Sequence, residues 1–304
     1  MKFACISIDF DEITEYQAIH GIEASKTQLS VTQNCIENVR RLIYEENIPV
    51  TTFLTSQSLD YAYEGLKLEY STGLTEAGNH SLNHRYDLGR LDYETIKKEI
   101  FGLHEQADSK GLKIKGFRSP GWHLSRNILK VIEELNYSYT SCMNPSTVYY
   151  LSKLLYIGFS FLKGVETSSV IHPPSDLLVH RPYFPDNKKP WKNSSKGKIV
   201  EIPMSTGSFP FILPFTGYFL FKFKKPSFFI PLTNDFAVFH LHGVDFLNEN
   251  TREGQYLRGY EKVLGLPFAE RFEILKRVIN NLKSRGYVFM TLGNIEKEFR
   301  KTEK

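Results

Sequence analysis

The chain has 304 residues, of which 41% are hydrophobic and 24% are charged, and its formal net charge is +4. This composition is ordinary for a globular protein with one large α/β domain or two small ones, and so mild a charge does not suggest nucleic acid as a partner. No apolar run reaches the ~18 residues that span a bilayer. The three cysteines are too few and too widely spaced for a disulfide framework, and the N-terminus already has a strand pattern rather than a cleavable signal. We therefore expect a cytoplasmic protein.

Strand and helix patterns alternate along most of the chain. Strands are predicted at 2–8, 50–55, 114–117, 137–142, 199–204, 237–241 and 287–291, and helices at 29–47, 57–70, 92–110, 125–135, 267–285 and the end of the chain. Strands that alternate with helices through short loops are typical of a parallel sheet. In such folds the active site is assembled at the carboxyl ends of the strands. We find no internal repeat and no linker, so the sequence predicts a single domain over residues 1–304.

Two segments depart from this alternation. Residues 143–198 are rich in Pro, Ser, Lys and Tyr, and we expect a loop-rich insertion there. Residues 209–229 are rich in Phe, and the prolines among them argue against one long helix. This Phe-rich segment is either buried packing or a contact with a membrane interface, in which Lys222, Lys224 and Lys225 would face phosphate head groups.

A pair of histidines and a pair of aspartates suggest a metal site. His80 and His84 are four residues apart, so on a helical turn both imidazoles would project from one side and bind one ion, given a third ligand from elsewhere. Asp9 and Asp11 follow the first strand, and strand alternation would point both carboxylates the same way. One carboxylate can bind the ion while the other takes a proton from water. The alternative is that the acidic residues only cap the next segment.

Two further strand ends carry arginine, aromatic and histidine side chains. Arg118 can hold a carboxylate of the first strand by a two-pronged hydrogen bond, although a surface arginine is the commoner case. Pro120 and Trp122 can form a rigid wall for a sugar face, or can simply pack. His242 ends a late strand and is a candidate general acid for a departing amine. His240 lies on the same face of that strand, and only the position at the strand end favours His242.

These residues resemble the motifs of the polysaccharide deacetylase family, also called the NodB-homology or carbohydrate esterase 4 group. The resembling segments are, in the family's order, Ser7-Ile8-Asp9-Phe10-Asp11, His80-Ser81-Leu82-Asn83-His84, Arg118-Ser119-Pro120 and Leu241-His242. The resemblance covers about residues 1–145 and 199–292. One such motif is weak evidence, whereas four in order, each at a strand end, are specific.

The resemblance implies an α/β fold, a distorted (β/α) barrel. It also implies an enzyme that uses one divalent metal to hydrolyse the N-acyl groups of amino sugars. Zn²⁺ is the first choice of metal, with Co²⁺, Ni²⁺ and Fe²⁺ as alternatives. The implied roles are metal ligand for Asp11, His80 and His84, general base for Asp9, orientation of that base for Arg118, and general acid for His242.

The chain also departs from the family's common pattern. Gly121-Trp122 has the reverse of the commoner order, and it resembles the branch that acts on undecaprenyl-phosphate-linked sugars, the aminoarabinose deformylases and related lipid-linked hexosamine deacetylases. No segment clearly matches the fourth motif, whose aspartate positions the catalytic histidine, and Asp176 and Asp245 are the candidates. Glu12 replaces a small residue, which would alter the pocket without removing a ligand.

Three functions follow as hypotheses. The first is removal of an acetyl or formyl group from a lipid-linked amino sugar in cell-envelope or lipopolysaccharide synthesis, by a protein that is peripheral at the cytoplasmic face of the inner membrane. The second is deacetylation of a polysaccharide or a soluble amino sugar. The third is a non-catalytic carbohydrate-binding relative, against which the presence of both Asp9 and His242 argues.

Overall fold

The structure is a computed structural model, and it describes residues 1–22, 29–162, 164, 174–194, 197–208, 212–233 and 235–303. Within these residues eight strands form one sheet whose paired strands run parallel. The strands are β1 (Lys2–Phe10), β2 (Val50–Leu54), β3 (Thr75–Asn79), β4 (Gly116–Phe117), β5 (Tyr139–Thr140), β6 (Val200–Glu201), β7 (Phe236–His242) and β8 (Tyr287–Phe289). Their order is β6-β5-β4-β3-β2-β1-β7, and β8 pairs with the start of β1. The parallel sheet agrees with the alternating pattern, and it curls into an open barrel, as the family resemblance implies.

Helices connect the strands. They are α1 (Ile13–Ile19), α2 (Val31–Glu46), α3 (Leu59–Gly65), α4 (Lys67–Thr72), α5 (Tyr93–Ser109), α6 (Arg126–Glu134), α7 (Thr147–Leu162), α8 (Gly217–Phe223), α9 (Arg252–Leu257), α10 (Phe268–Ser284) and α11 (Leu292–Thr302). Most of the predicted helices begin and end close to their predicted positions. The reason is local at α2 and α6, where Ser30 and Ser125 accept hydrogen bonds from the backbone N–H groups of the first turn.

Strand β1 lies at the centre of the site's architecture because it pairs with β2 on one side and β7 on the other. Its residues from Ala4 to Phe10 are buried, which explains the nearly continuous apolar run at the start of the chain. The register sets Asp9 opposite both Phe53 of β2 and His242 of β7. Residues far apart in sequence therefore meet at the carboxyl ends of adjacent strands.

The segment 143–198 differs from the expected loop-rich insertion. It contains α7, a helix of 16 residues. The helix was not predicted because apolar residues occupy all of its sides, so that it lacks the periodicity by which an amphipathic helix is recognised. The helix expected at 57–70 is also different, since it is divided into α3 and α4 at Leu66.

The Phe-rich segment is only partly described, because residues 209–211 lie outside the described ranges. Its prolines do limit it to a short helix, α8, as expected. Leu220, Phe221 and Phe229 are buried in the main core, as the packing alternative predicts. Within the described part of the chain, no helix is both long and apolar enough to cross a membrane.

Candidate metal centre and active site

The carboxyl end of β1 carries two buried carboxylates. Asp9 is the second-last residue of the strand and Asp11 follows it, and the two are 3% and 1% exposed. Both approach the same imidazole: His80 Nε2 lies 3.4 Å from Asp9 Oδ2 and 3.7 Å from Asp11 Oδ1. The structure thus brings the two aspartates to the histidine pair, as the strand-end argument predicts.

The histidine pair does not lie on a helical turn, contrary to the expectation. Strand β3 ends at Asn79, and residues 80–84 form a loop in which Ser81 and His84 have positive φ angles of 69° and 50°. Side chains stabilise this loop, because Asn79 Oδ1 accepts a hydrogen bond from Ser81 N and the Glu99 carboxylate accepts two from Asn83. The imidazoles still converge, with ring centroids 4.9 Å apart.

The tautomer of His80 fits metal binding. Its Nδ1 lies 2.9 Å from the carbonyl oxygen of Arg118, and because a carbonyl only accepts, Nδ1 carries the proton. Nε2 therefore presents a lone pair toward the two carboxylates. A backbone carbonyl that orients a histidine in this way is typical of metal ligands.

Asp11 completes the set. Its Oδ1 lies 3.4 Å from His84 Nε2 and is buried, yet it accepts no hydrogen bond from any described residue. One ligand atom each from Asp11, His80 and His84 lies within 4.8 Å of the others. A buried carboxylate oxygen without a hydrogen-bond donor is costly, and a divalent cation bound by these three residues would compensate for it.

The pKa shifts of these groups suit a cation site. Burial raises the pKa of Asp11 well above its usual value, and the nearby carboxylates Glu15 and Asp9 raise it further. Burial lowers the pKa of His80 to about 3 and that of His84 well below its usual value. Both imidazoles are therefore neutral near pH 7, which is the form that binds metal. Two nitrogens and one carboxylate oxygen suit Zn²⁺, Co²⁺, Ni²⁺ or Fe²⁺.

Arg118 holds Asp9 by one hydrogen bond rather than two. Its Nη1 donates to Asp9 Oδ1 at 2.7 Å, and the guanidinium is fully buried. The remaining donors serve other groups: Nη2 donates to the hydroxyls of Ser7 and Ser141, and Nε donates to the Ser141 carbonyl. Burial raises the pKa of Asp9, whereas the charge of Arg118 and then that of His242 lower it. The arginine therefore favours the charged carboxylate that a general base requires.

Sequence did not separate His240 from His242, but the structure does. Arg118 Nη1 lies 3.0 Å from His240 Nδ1, and because arginine only donates, His240 carries its proton on Nε2. That Nε2 lies 3.2 Å from His242 Nε2 and donates to it. His240 is 1% exposed, whereas the His242 side chain is 36% exposed. His240 is thus an internal link, and His242 is the imidazole that a substrate can reach.

The two aspartate candidates for the fourth motif differ. Asp245 lies in a short helix at Gly243–Phe246, and its Oδ2 accepts a hydrogen bond from the backbone N–H of His242. The carboxylate sits against Gly217, where any Cβ would collide with it. Asp245 therefore stabilises the backbone after β7, while His240 contacts the His242 ring. Asp176 is buried in a separate short helix, Pro174–Leu178.

Pro120 and Trp122 are both buried. Trp122 is 8% exposed, and its ring packs edge-on against His240 with centroids 4.6 Å apart. The same ring lies 4.9 Å from the Arg118 guanidinium. These contacts agree with the packing interpretation of Trp122, because its ring helps to hold His240 and Arg118 in place. Glu12, another residue that the sequence singled out, turns away from the site and accepts hydrogen bonds at the start of α2.

Three residues around Arg118 were missed at the sequence level. Ser7 lies two residues before Asp9 and so on the same strand face, a signal that alternation could have given. Ser141 follows β5, and Glu201 of β6 accepts hydrogen bonds from the backbone N–H groups of Cys142 and Met143. No sequence pattern marks these last two, because their role depends on the order of the strands.

A cleft of about 670 Å³ opens beside His84. Its walls include Glu15 of α1, Tyr86 of the histidine loop, and Tyr149 and Lys153 of α7. The cleft is large enough for a sugar and gives a substrate access to the buried cluster.

Comparison with known proteins agrees with this geometry. Residues 5–140 match the sequence model described as polysaccharide deacetylase. The first three motifs lie within the matched residues and the last lies outside them. A comparison with curated proteins finds no match in sequence.

Solved structures with a similar fold come from several organisms. A probable polysaccharide deacetylase from Pseudomonas aeruginosa PAO1 aligns with a TM-score of 0.58 at 13% identity, over 98% of this chain and 90% of that one. A candidate polysaccharide deacetylase from Mycobacterium smegmatis aligns with a TM-score of 0.50 at 16% identity, over 96% and 94%. A 4-alpha-glucanotransferase from Thermococcus litoralis aligns with a TM-score of 0.51 at 13% identity, over 97% and 40%. The likeness confirms the distorted (β/α) barrel, and the glucanotransferase illustrates that this fold alone does not define a reaction.

Proposed function

We propose that the protein is a metal-dependent hydrolase that removes an N-acetyl or N-formyl group from an amino sugar carried on a polyprenyl phosphate. One observation supports the reaction above all: two carboxylates two residues apart have different partners. Asp11 Oδ1 faces His80 and His84, whereas Asp9 Oδ1 is held by Arg118 and its Oδ2 faces the same buried space. One carboxylate thus suits a metal ligand and the other a base.

The residues divide the chemistry of amide hydrolysis between them. When bound at Asp11, His80 and His84, a divalent metal would supply Lewis-acid activation of water and of the amide carbonyl. Asp9 accepts the proton of the attacking water at Oδ2, because its Oδ1 is occupied by Arg118. His242, whose side chain is 36% exposed, donates a proton to the departing amine. The products are a free amino sugar and acetate or formate.

Two observations favour a lipid-linked substrate. The Gly121-Trp122 order resembles the lipid-linked branch of the family. In the described part of the Phe-rich segment, Tyr218 and Phe223 are exposed beside Lys222 and Lys224, as a peripheral contact with anionic head groups requires. We accordingly propose action at the cytoplasmic face of the membrane.

The Asp9→Asn variant tests the reaction. We expect it to keep its metal, measured by elemental analysis, and to lose about 10²–10⁴-fold in amine release from an N-acylated amino sugar. Asp60→Asn is the matched control, since Asp60 is an exposed residue of α3. Unchanged turnover in Asp9→Asn would sink the base assignment, and loss of the metal would make Asp9 a ligand instead.

Mass spectrometry of cell glycolipids, with and without the gene, tests the substrate. A lipid-linked substrate predicts a gain of one acyl mass on a polyprenyl-linked sugar when the gene is deleted. The same gain on polymeric or soluble glycans, with unchanged lipids, would favour the second hypothesis.

A further inference from the structure

Helix α7 has an unusual relation to the rest of the protein. Its 16 residues, TVYYLSKLLYIGFSFL, are apolar or aromatic at most positions, but only Ser160 is buried. A helix that is apolar on all sides normally lies inside a protein or in a membrane. Here the residues that the structure describes leave it largely uncovered.

Four of the exposed apolar side chains of α7 form one continuous stripe. Leu151, Leu155, Phe159 and Leu162 follow one another at spacings of four, four and three, which places them on one face of a helix. Their exposed fractions are 57%, 63%, 61% and 79%. Single exposed apolar side chains are ordinary on protein surfaces, whereas four neighbouring ones on one helix face mark an interaction surface. Tyr156 borders the stripe and is 53% exposed.

The composition of α7 favours a lipid surface as the partner. Residues 147–162 contain no acidic residue, and their one basic residue, Lys153, points away from the stripe. Lys153 Nζ donates to the Gly121 carbonyl at 3.1 Å, within the wall of the cleft. An apolar stripe bordered by a tyrosine suits the interface of a bilayer, and the chain's net charge of +4 favours anionic lipids. A protein partner would normally add a polar rim with its own charge pairs.

The position of α7 places this surface next to the candidate active site. Tyr149, Ser152, Lys153 and Tyr156 of the same helix line the cleft that begins at His84. One helix therefore forms a wall of the candidate active site on one side and the apolar stripe on the other. A head group that projects from a bilayer would reach the cleft without leaving its lipid tail in water.

We propose that α7 lies in the interface of an anionic membrane through the stripe of Leu151, Leu155, Phe159 and Leu162, and so sets the mouth of the cleft against the bilayer. The inference rests on the proposed function for the identity of the substrate, a sugar on a lipid carrier. The docking itself requires neither metal nor substrate.

Vesicle flotation of the full chain tests the docking. We expect the protein to float with phosphatidylcholine vesicles that contain phosphatidylglycerol, and the Leu155→Glu/Phe159→Glu variant to lose about tenfold or more in partitioning. Leu68→Glu is the matched control, because Leu68 is a 61% exposed leucine on α4, and it should float like the wild type. A fluorophore on Phe159→Cys should shift to the blue with vesicles, and the three native cysteines are buried and do not compete for the label.

Three outcomes would overturn the docking: no flotation of the wild type, no spectral shift at residue 159, or a wild-type dimer that the double variant dissociates, since the stripe would then bind a second copy. Amine release from a water-soluble N-acetylated amino sugar separates this proposal from the proposed function. Equal release by wild type and double variant, with flotation lost only in the variant, supports both. Flotation without any release would leave the docking standing and refute the reaction.

Discussion

The carboxyl end of β1 and the surface of α7 differ in how they meet their surroundings. Around β1, charged and polar groups are buried and are held by many partners: Arg118 alone contacts Asp9, Ser7, Ser141 and His240. On α7, apolar side chains are exposed and have few partners among the described residues. Each region reverses the ordinary distribution of polar and apolar side chains. Such reversals cost stability, and proteins retain them where function requires it.

The largest effect should follow from removing the buried charge of Arg118. Arg118→Met leaves Asp9 buried without its cation, and we expect roughly 3–5 kcal/mol of lost stability in denaturant unfolding. Turnover should also fall, because the rise that burial causes in the pKa of Asp9 is then opposed by His242 alone. Arg118→Lys keeps the charge and should recover part of the stability. Wild-type stability in Arg118→Met would mean that the network around β1 is not what holds the site.

The next effect concerns His240, which contacts both Arg118 and His242. We expect His240→Gln to lower kcat by about 10–100-fold and to leave KM nearly unchanged, since His240 positions the His242 ring and does not reach the cleft. The rate should also change its pH dependence, which a merely structural role would not produce. A rise in KM alone would indicate that His240 acts on substrate binding.

The third prediction uses the buried carboxyl of Glu201. Burial raises its pKa from the ordinary 4.5 to about 7, although hydrogen bonds from Thr140 and the backbone of Met143 and Cys142 oppose the shift. Because the folded protein binds this proton more tightly than the unfolded chain, the stability due to it is complete below about pH 4.5 and is lost as the pH rises through about 7.

Glu201→Gln should remove this pH-dependent part of the unfolding free energy and retain the hydrogen bonds. Denaturant titrations at pH 5 and pH 8 check it, since the difference between the two pH values should shrink in the variant. An unchanged difference would assign the pH dependence to other groups.

The smallest effect should be on α7. Leu155→Ala should change the unfolding free energy by less than about 0.5 kcal/mol, because the side chain is exposed, whereas Ile8→Ala in β1 should cost about 2–5 kcal/mol. Thermal and denaturant unfolding in the absence of lipid measure both. If Leu155→Ala were as costly as Ile8→Ala, α7 would be part of the core and would not be available to a membrane.

The same comparison explains what the sequence could predict. The proximity of Asp9, Arg118 and His242 is predictable because parallel strands bring their carboxyl ends to one edge, so that position in the chain already implies it. The loop at 80–84 was mistaken for a helical turn, since the side chains that shape it, Asn79 and Glu99, act across space.

Two other features were beyond the sequence for different reasons. His240 and His242 lie on one strand face, and only the position of Arg118 shows which ring is internal. Helix α7 carries no amphipathic period, and its exposure depends on what the rest of the chain leaves uncovered. The strand ends that meet at the site were predictable from the sequence, whereas the individual contacts between side chains across the fold were not.

Equilibrium dialysis against Zn²⁺ or Co²⁺, followed by elemental analysis, tests the central claim most directly. The account predicts about one equivalent of metal in the wild type, a loss of at least about tenfold in affinity in His84→Ala, and wild-type binding in His104→Ala, whose ring contacts Tyr137 away from the site. Equal metal binding by His84→Ala and the wild type would contradict the assignment of Asp11, His80 and His84 as the metal centre.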